Sequence, residues 1–215
     1  MPDTSIIQSL YARLKQDIRE HKLPVGVALK QETLAGQYGV SRIPVRDVLQ
    51  QLKREGWLTQ CGKRGVMVQP LSIEEVQDLS LMREYLEPLI LEYALPNLTN
   101  QRLGMAEDIM VLLDSPHLSV AEYGELNWQF HASLYQPAQR PTLFTVIENL
   151  HQLCSRYIGY HAIELKYTST SQEEHRQLLA AIKKCDTLKA QHLLKSHIAK
   201  ASKQLVDYLD KVKEV

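Results

Sequence analysis

The chain has 215 residues, 44% of them apolar and 23% charged, an ordinary globular composition that excludes disordered and collagen-like classes. No run approaches the roughly eighteen apolar residues of a membrane helix, and the start MPDTSIIQSL lacks the basic and apolar regions of a secretory signal, so a cytoplasmic location is expected. The net charge of zero conceals an asymmetry: residues 1–70 hold 11 Lys+Arg against 6 Asp+Glu and the remainder 14 against 19, which suits a chain that places its front end on nucleic acid.

From Ser5 to His21 the apolar residues Ile6, Ile7, Leu10, Leu14 and Ile18 have the spacing of an amphipathic first helix. Glu32 to Glu55 then reads ETLAGQYGVSRIPVRDVLQQLKRE, with helical periodicity interrupted once, at Gly39-Val40. Gly39 can take the positive φ that ends one helix, Ser41 can cap the next, and Pro44 sits in the first turn where a missing N–H costs nothing. Arg42, Ile43 and Arg46 are left exposed at the leading end while Val45, Val48, Leu49 and Leu52 turn inward. Arginine offers a planar donor fork to guanine edges or phosphate, so the pair suits a recognition helix; the plain alternative is an amphipathic hairpin with a solvated end.

Gly56 ends this helix, and Trp57-Leu58-Thr59-Gln60 reads as a short strand. Cys61-Gly62-Lys63-Arg64-Gly65 is a basic, glycine-bounded turn, and Val66-Met67-Val68 is the returning strand. Together they make a β-hairpin wing with two cations at its tip.

The segment from Tyr11 to Val68, with VSRIPVRD at 40–47 followed by LQQLKREGWL, resembles the winged helix of GntR-type bacterial transcription regulators. The resemblance implies DNA contacts from Ser41, Arg42, Pro44 and Arg46 and from wing positions Gly62 and Lys63, with Arg64 a further cation at the tip. Three positions depart from the family pattern: Pro24-Val25-Gly26 stands for a Pro-Gly pair, Gln31 for a common acid, and Glu32 for an arginine of some members. Operator preference therefore does not carry over.

Gln69-Pro70-Leu71 is a short join, and the division expected is 1–70 for the DNA-binding domain and 71–215 for an all-helical effector-binding and dimerisation domain. Ser72-Ile-Glu-Glu75, Ser119-Val-Ala-Glu122 and Ser171-Gln-Glu-Glu174 each fit a capping box, in which a serine and a glutamate three residues on satisfy each other's free N–H groups. Thr99, Pro141 and Thr187 mark the other starts, predicting six helices at about 73–95, 99–114, 119–136, 141–166, 171–184 and 187–211 in an antiparallel bundle. The fold class is thus mainly α, a winged helix-turn-helix before a six-helix bundle. Cys61, Cys154 and Cys185, odd in number and without metal-like spacing, are read as free thiols.

His131, His175 and His197 each lie on the apolar face of a different bundle helix, with Asn127 one turn before His131. Three neutral imidazoles and an oxygen suit zinc, nickel or a similar divalent ion, whereas each alone would be a core histidine satisfied by a polar neighbour, the reading kept for His151 and His161. Residues 73–204 resemble the FCD ligand-binding domain of the FadR branch, in its six-helix, VanR-like form, through LMREYLEPLILEYA, NWQFHASLY and EEHRQLLAAI. That resemblance implies a metal set of Asn127, His131, His175 and His197, with Asn127 standing where the family has an aspartate and weakening the site by one negative charge. It also places Arg83 toward the cavity, either to bind a carboxylate effector or to pair with Glu87 along the helix. The function expected is a homodimeric repressor on a palindromic operator, controlled by a small carboxylate, and not an enzyme. The rival is a metal-dependent hydrolase or lyase built on the histidines.

Overall fold

The computed structural model describes residues 4–63, 65–157 and 165–213 and divides the chain into two compact units, Met1–Pro70 and Leu71–Val215.

In the first unit α1 (Thr4–Arg19), α2 (Gln31–Tyr38) and α3 (Arg42–Arg54) enclose one core. Leu10, Leu14 and Ile18 meet Leu34, Tyr38, Val48, Leu49 and Leu52, all buried. Each such side chain contributes about 1.5–3 kcal/mol by leaving water. Two tyrosines tie the helices together, Tyr38 donating to Asp17 and Tyr11 donating to Glu55. Gly39 closes α2 in the left-handed region at φ 67°. Ser41 occupies the cap position of α3 with an extended backbone, yet its side chain accepts no cap bond, contrary to expectation. The reason is local: the third helical residue, whose N–H a capping serine usually takes, is Pro44, which has none. The Ser41 hydroxyl is therefore left exposed and uncommitted to the helix.

The wing is three-stranded. β2 (Leu58–Cys61) and β3 (Gly65–Val68) pair antiparallel in the register Cys61↔Gly65, and β1 (Ala28–Leu29), which the periodicity did not reveal, joins the far side of β3 to give the order β1-β3-β2. At Gly65 an added Cβ would lie 2.7 Å from the Cys61 carbonyl oxygen, so only glycine permits so tight a return.

The second unit consists, among the described residues, of α4 (Ile73–Ala94), α5 (Asn100–Leu113), α6 (Val120–Tyr135), α7 (Pro141–Cys154), α8 (Thr168–Lys183) and α9 (Thr187–Lys213). α4 lies along α9 and α7, α5 packs on α6 and α8, and α8 packs on α9. Of the three capping boxes, Ser119–Glu122 is complete. Ser72 accepts from the Glu75 N–H, but the Glu75 carboxylate turns to Arg156 and Tyr157 instead of completing the box. The third is a misreading. α8 begins at Thr168, so Ser171 is a buried residue inside the helix, and Glu174 is held by His197, Tyr167 and Lys200. The fourth bundle helix ends at Cys154, followed by a single 3-10 turn at Ser155–Tyr157; the rest of the span to 166 falls mainly outside the described residues, as does His161.

Candidate functional site: a histidine trio and a recognition helix

α6, α8 and α9 each bring one imidazole to the middle of the bundle. His131, His175 and His197 are 0%, 1% and 8% exposed, and one ring nitrogen from each lies within 4.8 Å of the other two. Ring centroids stand 5.0 Å apart for His131–His175, 4.8 Å for His175–His197 and 5.6 Å for His131–His197. In every case Nδ1 faces a partner: the Tyr135 hydroxyl at 3.2 Å, the Gln172 Oε1 at 2.9 Å and the Glu174 Oε2 at 2.8 Å respectively. The Nε2 atoms of His131 and His175 are buried with no protein partner. Orphaned buried nitrogens are rare and costly, and two of them aimed into one cluster fit a cation that would take both lone pairs. Burial first, then repulsion among the neighbouring histidines, holds His131 and His175 well below the usual imidazole range and keeps them neutral, the form a metal needs. Asn127 is half-buried one turn before His131.

A second polar group adjoins the trio. Glu87, wholly buried, accepts from Arg83 and from the Tyr135 hydroxyl at 2.6 Å, and lies 3.1 Å from His151 Nε2, the atom that also faces Arg83 Nη2 at 3.3 Å. Burial opposes its charge, but Arg83 and then His151 more than offset this and hold the carboxyl well below the usual range. Arg83 and Glu87 thus form the pair along the helix. His151, read as a core histidine, has its Nε2 between Arg83 and Glu87 as that reading requires, yet its ring also lies 5.6 Å from His131. Sequence reasoning missed Glu87, Tyr135, Gln172 and Glu174 as supports of the trio. Their one local signal is the polar Gln172 and Glu174 immediately before His175 on a helix face otherwise read for capping.

At the other end of the chain Arg42, Ile43 and Arg46 are exposed on the leading turns of α3. Arg42 lines an open concavity of about 650 Å³ with Leu29, Lys30, Gln31, Glu32 and Thr33. Arg46 donates through Nε and Nη2 to Asp47 Oδ1 at 3.0 and 2.9 Å, so its fork is held by its neighbour, a residue the sequence reading passed over. Pro44 is buried in the first turn of α3. On the wing, Gly62 and Lys63 are exposed, and Lys53 braces the tip through Gln60, whose amide donates to the Gly62 carbonyl at 2.9 Å. Arg64 lies outside the described residues.

Residues 6–68 match the family model of bacterial regulatory proteins of the gntR family, and residues 78–200 match that of the FCD domain. The chain belongs to the GntR family. This GntR regulator is 27% identical over 187 residues to the Nta operon transcriptional regulator of Aminobacter aminovorans, covering 86% of this chain and 87% of that one. It is 22% identical over 208 residues to the HTH-type transcriptional repressor RspR of Escherichia coli (strain K12), covering 95% and 90%. Its fold matches E. coli McbR/YncC with a TM-score of 0.72 at 23% identity, over 96% of this chain and all of that one. A DNA-binding transcription regulator of GntR and FCD type is not an enzyme, so the hydrolase reading of the histidines falls away. No helix among the described residues is long and apolar enough to cross a membrane.

Proposed function

We propose that this GntR regulator is a cytoplasmic homodimeric repressor whose hold on a palindromic operator is controlled by a divalent ion and a small carboxylate in the FCD domain. The observation that carries the proposal is the buried trio with two unpartnered Nε2 atoms, a polar centre that scaffolding alone has no use for. His131, His175 and His197 would hold zinc or nickel, with Asn127 as a neutral fourth ligand. A carboxylate effector would reach Arg83 by competing with Glu87 for the guanidinium. Repression is supported by a relative named as a repressor. Dimerisation is supported by α4, where Leu81, Tyr85, Leu89 and Tyr93 recur every fourth residue and stay 40–66% exposed, an apolar stripe suited to a second copy.

The test is metal titration of chelated protein by calorimetry with elemental analysis. One zinc or nickel per chain is expected, and no uptake from zinc, nickel or manganese would overturn the metal reading. Asn127→Asp should tighten binding by on the order of tenfold, because a carboxylate adds an opposite charge where water is scarce. For DNA, Arg46→Ala should lose about 1–3 kcal/mol of operator affinity, roughly 5- to 150-fold, in a gel-shift titration that leaves the fold unchanged. Lys63→Ala should weaken specific and random duplexes alike and reduce the salt slope by about one. Equal operator affinity of Arg46→Ala and parent would remove α3 from recognition.

A further inference from the structure

Each histidine of the trio has its proton position dictated by a neighbour that has no freedom to do otherwise. Gln172 lies 3 residues before His175 and is 4% exposed; its Nε2 donates to the Met110 carbonyl at 3.3 Å and to Asp114 Oδ1 at 3.1 Å. Both are acceptors only, so the amide cannot flip, and Oε1 must face His175 Nδ1. An amide oxygen accepts, hence His175 carries its proton on Nδ1. Asp114 is itself fixed by Arg176, which donates to both carboxylate oxygens at 2.7 Å. Glu174, already accepting from Tyr167 and Lys200, is an acceptor for His197 Nδ1. The single Tyr135 hydroxyl proton goes to Glu87, so the Tyr135 oxygen accepts from His131 Nδ1.

We infer that Gln172 is a positioning residue for the trio, and that with Glu174 and Tyr135 it locks all three imidazoles as Nδ1–H tautomers, so that their Nε2 lone pairs converge before any ion arrives. Partners behind a ligating histidine fix its tautomer and orientation in just this way, and their loss costs 10–100-fold in metal affinity. The stretch Ser171 to Glu174, which mimics a helix cap, thus supplies two of the three supports. The tautomer lock stands independently of the metal reading, on which only its consequence for affinity rests.

The experiment is nitrogen-15 NMR of histidine-labelled, chelated full-length protein, followed by zinc titration in competition with a chelator. The expected spectra show Nδ1–H and bare Nε2 for His131, His175 and His197. Gln172→Leu should return His175 to a mixture containing Nε2–H and lower zinc affinity 10–100-fold. Nε2–H on His175 in the parent overturns the inference even if Gln172→Leu fails to fold, and so does a Gln172→Leu variant with parental tautomer and affinity. A locked trio that takes up no zinc supports it while overturning the metal reading.

Discussion

Glu87→Ala is expected to destabilise the helical domain by about 3–5 kcal/mol, a larger effect than any truncation of an exposed helical residue. The carboxylate is wholly buried and is shared by Arg83, Tyr135 and His151. Removing it strands a guanidinium only 15% exposed, together with a buried hydroxyl. The penalty comes from the charge left behind, because a buried cation without its anion keeps its desolvation cost and loses what offset it. For a domain of this size the loss corresponds to about 6–20 °C in melting temperature. Glu87→Gln keeps an acceptor for Tyr135 but no charge for Arg83, and should fall between parent and Glu87→Ala. Thermal and urea unfolding followed by circular dichroism would check it; a loss below about 1 kcal/mol would mean that Arg83 swings out to water and that the network is a surface pair in disguise.

The second large effect concerns His175→Ala. An ion that binds only the folded chain adds RT ln(1 + [L]/Kd), about 4 kcal/mol at a thousandfold excess over Kd. The parent should therefore show a melting temperature that climbs with zinc, and His175→Ala should show none of that climb. The metal-free variant should keep its fold, since the substitution removes one of the two orphaned nitrogens while leaving Leu178, Leu179 and Ile182 of the same helix in the core. With both proteins stripped of metal and without effector, operator binding by His175→Ala should match the parent, because the substitution leaves α3 and its core untouched. Zinc stabilisation surviving in His175→Ala would place the ion elsewhere.

Much of the fold was legible because its signals are local. Gly39 before α3 and the Ser119–Glu122 box depend on neighbours within four residues, and the structure has both where the pattern predicts them. Failures came where a local pattern met a competing demand. Ser41 was denied its partner by Pro44, and Ser171-Gln-Glu-Glu174 has cap spacing but lies inside a helix, its carboxylate taken by His197 from 23 residues away. β1 escaped notice because two residues carry no periodicity; its strand character exists only through pairing with Met67 and Val66. The three histidines stood out because each is polar on an apolar face. Their supports did not: Glu87 reaches Tyr135 across 48 positions, a relation that only tertiary packing creates.

The chain has two tryptophans, and the fold assigns one to each unit. Trp57 is 1% exposed in the core beneath the wing, with Lys15 at 4.5 Å and Arg19 at 5.2 Å over its ring. Trp128 sits among the helices that carry the trio, 4.5 Å from the His151 ring and 5.7 Å from Phe144. Their indoles inhabit different surroundings, one beside two cations and one beside the buried His151 imidazole. The unlabelled protein therefore contains two separable fluorophores, one reporting on the DNA-binding half and the other on the interior of the helical half.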